Sequence, residues 1–281
     1  MLELGPLRIE ALHDGAFSLD GGAMFGVVPR PLWEKQLPPD GRNRVRLALR
    51  CLLVRAPGRV VLVDTGMGDK WDAKSRDVYA LDRTTTLLSD LAARGLRPED
   101  VTDVVLTHLH FDHAGGVTRR DESGGIALTF PRATHHVQER NWRWAQAPTE
   151  RDRGSYRSEN FEALQDSALL HLVAGESELL PGLRVLPFEG HTPGLQCALL
   201  EGGGRSLIYP ADLLPTAAHV RAAWGMSYDL QPLQVMREKR ALLDRAATDA
   251  SIVVFEHDPR VQACTVRRDG AEIVLDREVT L

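Results

Sequence analysis

The densest group of metal-ligating side chains follows a β-branched run. Positions 107–116 read THLHFDHAGG, so that three histidines and one aspartate fall within six residues. Neutral imidazole is the commonest metal ligand, and a carboxylate adds negative charge. In such a loop His108 and His110 can face one side while Asp112 and His113 face another. The spacing therefore predicts ligands for two adjacent cations.

Three further ligand-type side chains follow later strand-like runs. His191 lies in a Gly-His-Thr-Pro-Gly turn, and Asp212 and His257 each come shortly after a β-branched stretch. Alone, a histidine or aspartate in such a place is more often a turn or capping residue. Two neighbouring cations need more ligands than one loop offers, so beside the cluster these residues are interpreted as additional ligands.

Alternating strand-like and helix-like segments would position these side chains. Five β-branched runs predict buried strands, at positions 59–64, 103–107, 183–186, 206–209 and 251–255. Helical patterns cover 84–94 and the stretch from Pro232 to about Ala247. Polar, proline-bearing stretches predict loops or lids at 36–43 and 145–156. Strands and helices mixed in both halves predict an α/β architecture of layered sheets and helices.

Composition and charge exclude several classes of protein. The chain has 281 residues, 43% hydrophobic and 26% charged, which is typical of a soluble globular protein with a full hydrophobic core. The net charge of −5 gives no general attraction to nucleic acid or to anionic membranes. Apolar runs are too short to span a bilayer, and the first residues do not resemble a signal peptide. We therefore expect a cytoplasmic protein with neither a nucleic-acid nor a membrane partner.

The three cysteines and four of the remaining histidines are interpreted as structural. Cys51, Cys197 and Cys264 lie in apolar, strand-like stretches, which predicts buried free thiols and no disulfide framework. The sequence has no phosphate-binding loop, dinucleotide fingerprint or serine nucleophile elbow. Four further histidines are interpreted as structural or solvated: His135, His136, His171 and His219.

The order of the ligand-type residues resembles the metallo-β-lactamase superfamily. Asp64 in a Val-Asp-Thr-Gly run, the His-x-His-x-Asp-His cluster and the three later residues match its pattern over about positions 52–258. The resemblance implies an α/β, four-layer αββα sandwich with a dinuclear metal site at one edge of its two sheets. We expect a single hydrolase domain over residues 1–281.

The resemblance also implies a role for each matched residue. His108, His110 and His191 would hold the first metal, and Asp112, His113 and His257 would hold the second. Asp212 would bridge the two metals, and Asp64 would orient the ligand loop. Asp112 would also be catalytic, passing a proton to the leaving group. Ala211, where the family often has glycine, and Leu195 after the turn at His191 are minor departures that remove no ligand.

Such a site predicts hydrolysis. Five imidazoles and two carboxylates around two divalent cations leave a net positive centre with room for a shared hydroxide. Metal binding lowers the pKa of water to roughly 7, and the cations stabilise the oxyanion that forms on an attacked carbonyl or phosphoryl group. The expected cofactors are two divalent metal ions. Zinc suits the histidine-rich ligand set best, and iron or manganese also fits mixed nitrogen and oxygen ligands.

Two appendages bear on the substrate. An N-terminal extension at about 17–44 is apolar, with glycines and prolines, and could fold over the site as a lid or simply cover a core edge. A second apolar and aromatic segment follows Asp212. Together they could wall a pocket for a small acyl or aryl substrate. The residues assigned to that pocket are Met24, Phe25, Trp33, Trp224 and Tyr228.

These features are similar to the branch that holds N-acyl-homoserine lactonases and methyl-parathion-type organophosphate hydrolases. Only 24 residues follow His257, too few for the helical substrate domain of glyoxalase II-type thioesterases. The lactonases carry a tyrosine shortly after the bridging aspartate, where this chain has Leu-Leu-Pro, and Tyr228 would have to substitute for it.

The sequence therefore predicts a dinuclear metal-dependent hydrolase that cleaves a small ester or lactone with a metal-bound hydroxide. The alternatives are a phosphotriesterase and a non-enzymatic metal-binding or sensing protein on the same fold. The expected partner is a small-molecule substrate. The oligomeric state stays open, with a homodimer among the alternatives.

Overall fold

Two seven-stranded β-sheets form the framework of the computed structural model, which describes residues 1–281, and a two-stranded hairpin lies outside them. The strands are β1 (Leu2–Leu4), β2 (Leu7–Asp20), β3 (Arg44–Ala56), β4 (Arg59–Val63), β5 (Asp103–Val105), β6 (Thr118–Arg120), β7 (Ile126–Leu128), β8 (Thr134–Gln138), β9 (Leu170–Val173), β10 (Ser177–Leu180), β11 (Leu183–Phe188), β12 (Leu195–Gly202), β13 (Arg205–Tyr209), β14 (Ile252–Val254), β15 (Ala263–Asp269) and β16 (Glu272–Val279). The α-helices are α1 (Gly21–Phe25), α2 (Arg30–Trp33), α3 (Ala73–Val78), α4 (Leu87–Ala93), α5 (Phe111–Ala114), α6 (Glu139–Gln146) and α7 (Pro232–Thr248).

Each sheet packs against the other sheet on one face and against helices on the opposite face. The first sheet has the order β1-β2-β3-β4-β5-β8-β9, and the second runs from β10 to β16 in sequence order. Alternate residues point to opposite faces, so Leu52 of β3 and Leu207 of β13 enter the apolar cluster between the sheets. Leu53 lies under α4 and α6, and Ile208 lies under α7. This αββα sandwich confirms the predicted fold class.

The strand predictions are confirmed, with ends that differ by up to two residues. All five β-branched runs form strands, and the three cysteines lie buried and unpaired within strands. The segment predicted as a loop at 145–156 begins two residues inside α6. The helix continues to Gln146 because Trp142 and Ala145 are buried in the cluster that covers the first sheet.

The two predicted helices form where their end signals place them. Thr86 caps α4, since its hydroxyl accepts from the backbone N–H of Ser89 at 3.1 Å while the Ser89 hydroxyl accepts from the N–H of Thr86 at 2.9 Å. Gly95 follows at a φ of 71°. Pro232 occupies the first turn of α7. None of the helices is both long and apolar enough to cross a bilayer.

Parallel strand pairs bring the chemistry-bearing loops to one edge of the sandwich. Strands β4 and β5 pair in parallel in the first sheet, and β13 and β14 pair in parallel in the second. The loops that leave their carboxyl ends carry Asp64, the cluster at 107–116, Asp212 and His257. Because the carboxyl ends of parallel strands meet at the same edge, these four loops become neighbours.

A close approach of two backbone segments fixes the loop at 107–116. The N–H and the hydroxyl of Thr65 both donate to the carbonyl of His113, each at 2.8 Å. A Cβ on Gly116 would lie 2.3 Å from the Thr65 carbonyl oxygen, and one on Gly115 would lie 2.2 Å from that of Met67. The two glycines are required here because any side chain would force the segments apart.

We expect Gly116→Ala to lower the free energy of unfolding by about 2 kcal/mol, since the added methyl group overlaps backbone that cannot give way. Chemical denaturation followed by circular dichroism measures the change. Gly41→Ala is the matched control, because a Cβ there meets nothing within 4 Å. Equal stability of the two variants would contradict the packing argument.

Candidate metal centre

The seven ligand-type residues singled out in the sequence converge in two groups. One donor atom from each of His108, His110, His191 and Asp212 lies within 4.8 Å of the others. A second group, equally close, contains Asp112, His113 and His257. All seven side chains are buried. These residues could hold metal ions.

The first group is a cluster of imidazole nitrogens beside one carboxylate. His110 Nδ1 lies 3.0 Å from His108 Nε2 and 3.2 Å from His191 Nε2. The Oδ2 atom of Asp212 lies 3.2 Å from His191 Nε2. His108 and His110 therefore face the same side of their loop, as their spacing predicts.

The second group lies on the other side of the same carboxylate. The Oδ1 atom of Asp212 is 3.2 Å from His257 Nε2 and 3.6 Å from His113 Nε2. The Oδ2 atom of Asp112 completes the group at 3.6 Å from His257 Nε2 and 3.8 Å from His113 Nε2. Each oxygen of Asp212 thus faces a different set of imidazoles.

Hydrogen bonds on the side of each ring that faces away from the centre determine which ring nitrogen carries the proton. His191 Nδ1 donates to Asp229 Oδ1 at 2.9 Å, and His257 Nδ1 donates to the carbonyl of Ala48 at 2.9 Å. Because a carboxylate and a carbonyl can only accept, Nδ1 carries the proton in both rings. In the neutral rings that bind a metal, the Nε2 atoms are therefore acceptors aimed inward.

His113 is held by two carboxylates. Its Nδ1 lies 3.0 Å from Asp64 Oδ2 and 3.1 Å from Glu256 Oε2. Asp64 in turn accepts from the backbone N–H of Thr107 at 2.8 Å and from the Thr107 hydroxyl at 2.7 Å. Asp64 thereby connects the end of β4 to both ends of the ligand loop. This is the contact pattern expected of a residue that orients that loop.

The centre contains buried acceptors that the protein leaves without partners. His113 Nε2, His257 Nε2 and Asp212 Oδ1 are buried and receive no hydrogen bond. Buried acceptors that face one another are unfavourable unless a cation or a proton lies between them. The donor set therefore fits divalent cations, and its nitrogen-rich character suits zinc.

The pKa values of the two aspartates shift in opposite directions. Burial raises the pKa of Asp112. Burial acts in the same direction on Asp212, but His113 and His191 outweigh it and hold the pKa of that carboxyl well below its usual range. Asp212 therefore remains a carboxylate between the two groups of imidazoles.

A cavity of about 270 Å³ opens onto this centre. Of the five residues assigned to a pocket from the sequence, Met24 and Tyr228 line it. Phe25, Trp33 and Trp224 lie behind the wall, where Phe25 stacks on Trp33 with ring centroids 5.4 Å apart. The structure adds wall residues that the sequence analysis did not assign to the pocket individually, namely Leu19, Tyr79, Phe111, Arg151, Ser155 and Met226.

The N-terminal extension at about 17–44 contributes directly to the cavity wall through Leu19 and Met24. It is joined to the segment after Asp212, because the N–H of Ser227 donates to the carbonyl of Ala23 at 2.8 Å. The two appendages therefore lie side by side over the centre. Movement of the extension as a lid stays a prediction.

The other histidines lie outside the two groups. His219 is buried, stacks on Phe25 at 5.1 Å between ring centroids and hydrogen-bonds the Met24 carbonyl at 2.9 Å. His136 lies 3.0 Å from Asp103 and 2.8 Å from the exposed His171. Asp229 and Glu256 are site-supporting residues that the sequence analysis did not single out. The only signal for Glu256 is its place before His257, and Asp229 has none, since it is 38 residues from His191.

Comparison with known proteins agrees with this geometry. The family profile described as the metallo-beta-lactamase superfamily matches residues 47–257. A probable metallo-hydrolase of Mycobacterium tuberculosis is 31% identical over 274 residues, covering 84% of this chain and 85% of that protein. An N-acyl homoserine lactonase of Bacillus cereus is 28% identical over 170 residues, covering 57% of this chain and 60% of the lactonase.

A solved structure extends the similarity over the whole chain. The crystal structure of a probable metal-dependent hydrolase from Staphylococcus aureus superposes with a TM-score of 0.90 at 31% identity, covering 99% of this chain and 100% of that one. The family profile alone spans most of the sandwich and both groups of ligand-type residues. The chain therefore belongs to the metallo-β-lactamase superfamily and is a metallo-hydrolase of that family.

Proposed function

We propose that the protein is a dinuclear metal-dependent hydrolase that cleaves a small ester or lactone. The observation that carries this proposal is the position of Asp212, whose two oxygens face two separate groups of inward-facing nitrogens. One carboxylate between two such groups suits a pair of adjacent cations better than a single ion.

Each group would hold one cation. His108, His110 and His191 would bind the first, and Asp112, His113 and His257 would bind the second, with Asp212 shared between them. Zinc is the favoured metal, because five of the seven ligands are imidazoles. When bound, such cations supply Lewis acidity. This would lower the pKa of water so that hydroxide is available at neutral pH, and it would stabilise negative charge on the attacked carbonyl oxygen.

The chain's own residues would carry the proton and hold the substrate. Asp112 lies on the cavity wall beside His257, so its carboxylate can take the proton released by the attacking water. It would pass that proton to the leaving oxygen, so that water adds across the C–O bond to give an acid and an alcohol. Leu19, Met24 and Phe111 would bind the apolar part of the substrate and exclude bulk water.

The lactonase of Bacillus cereus supports an ester or lactone as the bond that is cleaved, since this chain shares 28% identity with it over 170 residues. The size of the cavity supports a small substrate. No wall residue specifically favours a phosphotriester, which therefore serves as the comparison substrate.

We expect zinc-loaded protein to open the ring of N-hexanoyl-homoserine lactone and to lose this activity on treatment with a chelator. Ring opening is followed as acid release in weak buffer, beside a chromogenic phosphotriester. If the protein cleaves the phosphotriester and does not open the lactone, the proposed ester or lactone specificity is wrong. Equal rates with and without metal would overturn the mechanism.

The zinc content of single-histidine variants tests the two-cation assignment. We expect about two zinc ions per chain in the wild type and about one in His257→Ala, because only the second group loses a ligand. Elemental analysis after dialysis gives the ratio, and circular dichroism checks the fold. His171→Ala is the control, since that histidine is exposed and outside both groups, and it should retain about two. One ion per chain in the saturated wild type would refute a dinuclear centre.

Asp112→Asn tests the proton-transfer role. We expect hydrolysis to fall by about 100-fold or more, the size of a general acid–base contribution, in protein brought to wild-type zinc content. Asp166→Asn, at an exposed position, should keep the wild-type rate. Wild-type turnover in a fully metallated Asp112→Asn protein would remove this residue from the mechanism.

A further inference from the structure

The cavity wall carries hydrogen-bond donors that the protein itself does not use. Tyr79 and Tyr228 line the cavity near Asp112, and their hydroxyls make no hydrogen bond within the chain. Burial raises the pKa of both phenols, so each keeps its proton at neutral pH. A ligand in the cavity therefore meets two free O–H donors.

Arg151 adds a positive charge to the same wall. It is the one lysine or arginine among the residues that line the cavity, and one of its terminal nitrogens donates to the carbonyl of Ser227 at 2.6 Å. That hydrogen bond orients the guanidinium and leaves most of its five N–H groups free.

No carboxylate neutralises this arginine. The adjacent Asp152 is occupied elsewhere, accepting from Trp144 Nε1 at 2.6 Å and from the Thr149 hydroxyl at 2.6 Å. Many other arginines form ion pairs, such as Arg157 with Glu159. Arg151 forms none, although it stands at the opening of a site that already contains Asp112 and Asp212.

A wall with a free guanidinium and free phenols matches an acceptor-rich, anionic group. A wholly neutral acyl chain would cover these donors without giving them partners, which costs free energy. A carboxylate accepts two parallel N–H bonds from a guanidinium, and such charge-assisted bonds are stronger than neutral ones.

We propose that the substrate is an ester or lactone that carries a carboxylate on its acyl portion, and that Arg151 binds this carboxylate. The inference rests on the proposed hydrolase activity and narrows its substrate class. The apolar residues of the wall then contact the methylene groups between the carboxylate and the scissile carbonyl, and the phenols donate to the substrate's oxygens.

Two chromogenic esters of equal chain length test the proposal. Mono-4-nitrophenyl adipate and 4-nitrophenyl hexanoate differ only in a terminal carboxylate. We expect the zinc-loaded wild type to have a kcat/KM about tenfold higher for the adipate ester, after subtraction of spontaneous hydrolysis. Arg151→Gln should abolish this preference by lowering kcat/KM for the adipate ester about tenfold more than kcat/KM for the hexanoate ester. Arg151→Lys should retain part of the preference, since it keeps the charge and loses the planar fork.

Arg153→Gln is the matched control, because Arg153 is exposed, lies two residues away and does not line the cavity. It should behave as the wild type with both esters. The proposal is overturned if the wild type prefers the hexanoate ester or treats the two alike. An equal loss of kcat/KM for both esters in Arg151→Gln would also overturn the proposal, because the loss of a purely structural arginine would lower both values alike.

Binding of uncleavable analogues separates this inference from the proposed activity. If neither ester is hydrolysed, ester cleavage is wrong, and calorimetry with adipamate and hexanamide still decides the role of Arg151. Tighter binding of adipamate that disappears in Arg151→Gln supports the carboxylate site. Equal binding of the two amides, or adipamate binding that survives the substitution, refutes it.

Discussion

Asp212 is buried among imidazoles at the edge of the sandwich, and the surrounding residues have to compensate for that burial. Its two oxygens lie 3.2 Å from His191 Nε2 and 3.2 Å from His257 Nε2, in a place where solvent has little access. Such a cluster of polar atoms lowers stability unless every ring is held in one tautomer and a cation compensates the convergent lone pairs. Hydrogen bonds to Asp229 and to the Ala48 carbonyl orient His191 and His257, and metal binding would supply the cation.

Apolar packing in the sandwich offsets the free-energy cost of burying this polar cluster. Three clusters of buried side chains fill the space between the sheets and beneath the helices on either side. Burial of these side chains stabilises the strands. The loops at the strand ends therefore need to contribute little to the free energy of folding. The ligand-type residues lie at one edge, where Asp64 accepts from the N–H of Thr107 in the ligand loop and Thr65 donates to the carbonyl of His113 in the same loop.

The segment after Asp212 connects one of the ligand-type side chains with the cavity wall. Asp229 holds His191, while the neighbouring Ser227 donates to Ala23 in the N-terminal extension and accepts from Arg151. One short stretch of chain therefore holds both a proposed metal ligand, His191, and a proposed substrate contact, Arg151. A change in this segment alters both the shape of the cavity and the orientation of a ligand ring.

Local sequence patterns alone located five of the sixteen strands, two of the seven α-helices and the seven ligand-type residues that converge at one edge of the sandwich. These follow from local periodicity and from residue types at fixed spacing, such as the His-x-His-x-Asp-His cluster, and the motif order was enough to indicate the family. Local patterns could not specify which aromatic residues reach the cavity. Phe25 and Trp224 look as suitable as Met24 and Tyr228, and only packing against Trp33 and His219 decides that the first two lie behind the wall. The same holds for Asp229, Glu256 and Arg151, because their roles depend on contacts between segments far apart in the chain, which only the tertiary structure brings together.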